Sequence, residues 1–136
     1  MSTEENKALI CRVYEFMNRG ELDALYELFD PGYVSHYTDR DMTLEQNKQL
    51  GPTFYTSFPD ISFNIEHMVT EGDKVAFRET WTGTHSGEFM GITPTGRKIE
   101  MMNTATFKMV DGKLAESRAT LDELRLMQQL GIIPTQ

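Results

Sequence analysis

Up to Phe58 the apolar residues of this chain recur at helical spacing, and beyond Pro59-Asp60 they alternate with polar ones. One change of period at one point means a helical half followed by a stranded half, the pattern of an α+β domain with helices packed on one face of an antiparallel sheet. The first half reads as helix over Glu4–Asn18, where Ala8, Leu9, Ile10, Val13, Tyr14, Phe16 and Met17 recur between a Ser2 or Thr3 cap and a Gly20 stop. A short second helix covers Asp23–Phe29 and ends at Pro31-Gly32, Tyr33–Tyr37 is extended, and Thr43 opens a third helical run to Phe58 that Gly51-Pro52 should kink or break. In the second half Ile61–Ile65 and Val75–Trp81 make a hairpin about Glu71-Gly72-Asp73-Lys74. A long strand spans Lys98–Val110, Asp111-Gly112 turns it into a strand from Leu114 to about Leu121, and a closing helix runs from Asp122 to Leu130.

With 136 residues the chain makes a single domain over 1–136, able to bury one core and a ligand cavity. Thirteen basic residues against twenty-one acidic ones leave a net charge of -8. Such a surface repels phosphate backbones and anionic lipid, so nucleic acid and membrane are not expected partners. The start MSTEENK is polar where a signal peptide is apolar. No run approaches the roughly 18 apolar residues that cross a bilayer, and a soluble cytoplasmic protein is the expectation. The lone cysteine, Cys11, falls among apolar helical positions and reads as a small buried hydrophobe.

Residues 83–97, GTHSGEFMGITPTGR, come near to a phosphate-binding loop, but Lys98 stands one place late and Ile99 opens a strand where that loop needs a helix N-terminus. A nucleotide site is therefore excluded. Parity within the strands sorts the remaining candidates, since alternate residues share a face. Asn103 is the one polar residue in the row Ile99, Met101, Asn103, Ala105, Phe107, Met109, so it bonds either backbone or water, or a ligand. Arg78 lies with Ala76, Thr80 and Thr82, opposite the Val75-Phe77-Glu79-Trp81 face, and either snorkels to solvent or projects into a polar cavity. Glu116, Arg118, Thr120 and Asp122 share a parity that fits a solvated edge or a site, and Asp122 also suits the N-cap of the helix it precedes. His36, His67 and His85 are too scattered to form a metal-ligand pattern, no serine or cysteine has nucleophile context, and neither metal nor cofactor is expected.

The run from Phe58 to Glu100, including the block Gly83-Thr-His-x-Gly-x-Phe-x-Gly-Ile-x-Pro-Thr-Gly-Arg97, followed by VDGKLAESRATLDELRLMQQLGIIP and preceded by the Tyr33–His36 segment, resembles the SnoaL-like polyketide cyclases, or ester cyclases, of the nuclear transport factor 2-like superfamily. The resemblance implies a cone-shaped α+β barrel: a curved antiparallel sheet with the N-terminal helices on its concave face. It implies that the glycine-rich block shapes the pocket rim. It also implies intramolecular aldol ring closure, or related proton transfer on a small apolar carbonyl compound, without cofactor, with the acid/base aspartate falling on Asp122. A desolvated pocket would raise that carboxyl toward working pH, and Arg78, Asn103 and His36 are the candidate donors to an enolate. Tyr33, Trp81, His85, Phe89, Met101 and Arg118 are the candidate substrate-lining residues. Arg118 stands where the family usually carries a tryptophan or other large aromatic, which points to a smaller or anionic substrate. A ligand-binding domain that has kept the pocket and lost the reaction is the alternative. The second face of the sheet, with Val75, Phe77 and Trp81, is expected to be covered by another copy in a homodimer.

Overall fold

A computed structural model describes residues 2–37 and 39–135, so the first and last positions of the expected 1–136 domain lie outside the described residues. Helix α1 (Thr3–Arg19) starts at a capping box in which the Ser2 side chain accepts from the Glu5 amide and Glu5 reaches back to Ser2, and it stops at Gly20 in the left-handed region. Its buried residues are Asn6, Leu9, Ile10, Val13 and Tyr14, a stripe at helical spacing. Cys11 lies off that stripe and is exposed, which corrects the expectation of a buried thiol.

Helix α2 (Leu22–Tyr26) is shorter than its pattern suggests, because Phe29 already belongs to strand β1 (Phe29–His36). Phe29 pairs with Leu114, and the Leu114 amide donates to Leu28 O at 3.0 Å, so a distant strand claims residues that locally read as helix. A short β2 (Asp41–Thr43), unforeseen in the sequence, pairs antiparallel with β1. Helix α3 (Leu44–Ser57) has a second capping box, between Thr43 and Gln46, and runs on without a break through Pro52, where a kink or break was expected. Ahead of Pro52, the Leu50 carbonyl accepts from the Thr53 hydroxyl at 2.5 Å.

Strands β3 (Ser62–Glu71), β4 (Lys74–Thr84), β5 (Lys98–Val110) and β6 (Lys113–Thr120) form the expected meander, and α4 (Glu123–Gln129) closes the chain. Strands β3 and β4 run longer than read, and β3 carries a register shift between Glu66 and Val69, with His67 at φ 53°. The six strands form one curved, open sheet in the order β2-β1-β6-β5-β4-β3. The β1–β6 pairing is parallel, so the sheet is mixed where a purely antiparallel one was expected.

One face of this sheet is buried. Val75 and Phe77 meet Leu9, Ile10, Val13 and Tyr14 of α1, with Met109 and Leu114 beside them. Further along, Trp81, Ile99 and Met101 meet Phe58, Phe89 and the α4 residues Leu126 and Leu130. Val75, Phe77 and Trp81 are therefore core residues of the chain itself, correcting their assignment to a partner-facing surface. The opposite parity, Ala76, Arg78, Thr80 and Thr82, faces outward.

The glycine-rich stretch is fastened to the end of α3. Ser86 and Gly87 amides donate to Ser57 O at 2.9 and 3.1 Å, and the Ser57 hydroxyl donates to Glu88 O at 2.6 Å. A Cβ on Gly87 would intrude on the Thr56 carbonyl, which is why that position has none.

Candidate active site

The centre of the inner face is polar. Glu79 sits between Phe77 and Trp81 in parity, with Ile65 opposite it on β3 and Asn103 opposite it on β5. One carboxylate oxygen, Oε2, accepts from the Tyr14 hydroxyl of α1, and the other, Oε1, accepts from Asn103 Nδ2 at 3.2 Å. Burial pushes the Glu79 carboxyl above its ordinary range, and the hydrogen bonds from Tyr14 and Asn103 pull the other way without cancelling it. Among the described residues no Lys, Arg or His forms an ion pair with it. A carboxylate placed in this row without a cation costs free energy in its charged form, so the position holds its proton more readily than a surface glutamate.

Other hydroxyls line the same side. Tyr33 OH and Ser117 Oγ are 2.6 Å apart, and Ser35 accepts from Asn47 Nδ2 at 3.0 Å. Burial raises the Tyr14, Tyr33 and Tyr37 phenols, so all three stay neutral and can donate across the physiological range. Asn103 is 4% exposed and its Oδ1 has no partner among the described residues. With Glu79 charged, turning the amide over would set oxygen against its carboxylate, so Nδ2 faces Glu79 and Oδ1 points away from it.

The residues singled out in the sequence divide among three places. Asn103 and Tyr33 belong to the inner polar row. Trp81, Phe89 and Met101 belong to the second core cluster, and His85, fully buried, stands 5.6 Å from the Phe58 ring. Thr95 donates its amide to His85 Nδ1 at 3.1 Å, which places the ring proton on Nε2, itself buried and without a partner. His36, Arg78 and Arg118 lie on the outer face, where they line a groove of about 520 Å³ with Thr104, Thr106 and Thr120. There His36 is held between Asp41 Oδ1 at 2.7 Å and Glu116 Oε1 at 2.9 Å, and Arg118 reaches the same Glu116 oxygen at 3.0 Å. The four candidate catalytic residues do not converge: His36 and Arg78 are separated from Asn103 by the thickness of the sheet.

Asp122 is exposed and caps α4, its Oδ1 accepting from the Arg125 amide at 3.0 Å. Thr104 pairs with Thr120 at the end of β6, so the chain carrying Asp122 leaves the sheet at the level of Asn103 and Glu79, while its carboxylate turns to its own helix. Glu79 escaped the sequence reading. The signal was there, since the parity argument that isolates Asn103 in an apolar row applies equally to Glu79 between Phe77 and Trp81.

Residues 7–130 match the family model described as SnoaL-like polyketide cyclase. The chain belongs to the SnoaL-like polyketide cyclase family. A relative among characterised sequences, aklanonic acid methyl ester cyclase AcmA of Streptomyces galilaeus, is 28% identical, with 93% of this chain and 91% of that one covered. AclR of S. galilaeus, a proposed hydroxylase, superposes with a TM-score of 0.92 at 30% identity, covering 99% of this chain and 86% of its own. IdmH of Streptomyces antibioticus, a proposed polyketide cyclase, gives 0.81 at 32% identity over 93% of this chain and 98% of its own. These likenesses support a cyclase-type function for a small-molecule-binding fold.

Proposed function

We propose that the protein closes a ring in a keto-ester of polyketide type by intramolecular aldol addition, moving protons with a carboxylate and no cofactor. The observation that carries this reading is the buried polar row Tyr14–Glu79–Asn103 on the inner face of a cyclase-family sheet. Such a row supplies an acceptor for an acidic carbon proton and donors for developing charge in a low-dielectric setting, the two requirements of enolate chemistry. The motif puts the acid/base at Asp122, and the start of α4 at the level of Asn103 supports that position. A neutral methyl ester like the one named for the galilaeus relative suits an inner face that already holds a carboxylate.

Incubation with aklanonic acid methyl ester and a panel of aromatic keto-esters tests the reading: an aldol closure yields a product of unchanged mass and altered retention. Asp122→Asn tests the position that the motif implies: a kcat lower by about 100-fold or more, as loss of a general base brings, supports it, and an unchanged kcat leaves ring closure to another base. The second reading, ligand binding without reaction, draws on one observation, the exposure of Asp122. It is favoured when these compounds raise the melting temperature yet are recovered unchanged. We extend the proposal to a homodimer paired across the outer face of the sheet, where Ala76, Thr80, Thr104 and Thr106 leave a surface of small side chains.

A further inference from the structure

We propose that Glu79 is the proton acceptor of this protein, taking a proton from the carbon next to a carbonyl in a neutral substrate that donates a hydroxyl or enol to Asn103. The inference rests on the cyclase reading only for the class of reaction. Its own grounds are geometric.

Glu79 is held from both sides, by Tyr14 at Oε2 and Asn103 at Oε1, and both partners are buried while Glu79 itself keeps part of its surface accessible. Tyr37, just after the end of β1, is likewise only partly buried. A carboxylate fixed from two sides is what a base must present to a carbon acid. The groups that face it are Tyr14 from α1, Asn103 from β5 and the more distant Tyr37 just after β1, with Ile65 on β3; none of these described residues is a cation. An anionic ligand would therefore bring a second negative charge against Glu79 with nothing to offset it, and a neutral one is selected. Asn103 Oδ1, buried and without a donor among the described residues, adds a specific demand, because such an acceptor costs free energy that a ligand hydroxyl removes.

The step balances within the substrate and one side chain. Glu79 carboxylate takes the proton from the α-carbon, and the C–H electron pair moves to the carbonyl to give an enolate. The enolate carbon bonds to the second carbonyl carbon, whose oxygen becomes an alkoxide, and Glu79 returns its proton to that oxygen. Tyr14 positions the carboxylate and stays neutral throughout. Asp122 is exposed and gives its Oδ1 to the Arg125 amide of its own helix.

Exchange of the α-protons of 1-tetralone for solvent deuterium, followed by proton NMR, reads abstraction alone, without ring closure. The wild-type protein should accelerate exchange over buffer, Glu79→Gln should lower the catalysed rate by about 100-fold or more, and Tyr14→Phe should shift the pH midpoint upward by removing a bond to the charged carboxylate. Thermal melting of each variant establishes that it is folded. A Glu79→Gln rate within threefold of wild type, or no catalysed exchange by the wild type, overturns the proposal. Ring closure of the keto-esters that survives Glu79→Gln and is lost in Asp122→Asn overturns Glu79 and leaves the cyclase reading standing. Exchange that depends on Glu79 with no ring closure of any keto-ester does the reverse.

Discussion

The Glu79 carboxyl carries a measurable signature in stability as well as in catalysis. Its folded pKa lies above the unfolded one, so the native state binds this proton more tightly. Its contribution to stability is complete below the unfolded value, near the ordinary 4.5, and is lost as pH rises through the raised folded value. Glutamine keeps the shape and cannot titrate. Glu79→Gln should therefore melt above wild type at neutral pH, by on the order of a few degrees as ~1 kcal/mol brings in a domain of this size, with the gap narrowing toward pH 4. Calorimetry across that range checks it, and a gap that does not change with pH would mean that Glu79 is solvated like any surface glutamate. Asn103 behaves differently. Asn103→Leu removes the vacant acceptor but also a donor to Glu79, so it should push the carboxyl further up and move the same melting curve to higher pH.

Elements in this fold are joined where a small side chain permits close approach. The Ser57–Gly87 contact ties the end of α3 to the loop that precedes β5, with the Ser86 and Gly87 amides and the Ser57 hydroxyl all engaged. Gly87→Ala forces a methyl against the Thr56 carbonyl, and backbone on both sides leaves little freedom to relax. A destabilisation of about 1–3 kcal/mol is expected, read as a lower denaturant midpoint at unchanged slope. Gly91→Ala, where no heavy atom stands within 4 Å but φ is 77°, should cost less, about 1 kcal/mol from backbone strain alone. These roles explain Gly87 and Gly91 without a bound phosphate. The sequence made the strand after this loop legible, whereas the docking of the loop on α3 depends on residues some 30 positions earlier and left no local trace.

Across the whole molecule, the sheet separates an inner face, covered by α1, α3 and α4, from an outer one that carries His36, Arg78 and Arg118. A homodimer paired on that outer face should sediment at twice the 15.6 kDa of the chain and weaken when Thr104→Glu and Thr106→Glu add repelling charge; sedimentation of wild type as a 15.6 kDa species excludes it. Strand parity, the change of period after Phe58, the turn residues and the caps at Ser2, Thr43 and Gly20 are all local properties, and the sequence by itself determined them: which residues share a face follows from a backbone repeat of two. It could not determine which face is buried. That was decided when α1 docked on Val75 and Phe77, when β1 paired in parallel with a strand some 80 residues later, and when α4 turned Asp122 to cap it, because each of these depends on contacts between distant segments whose energies no single window contains. The same arrangement took Glu79, one polar residue in an apolar row, out of water.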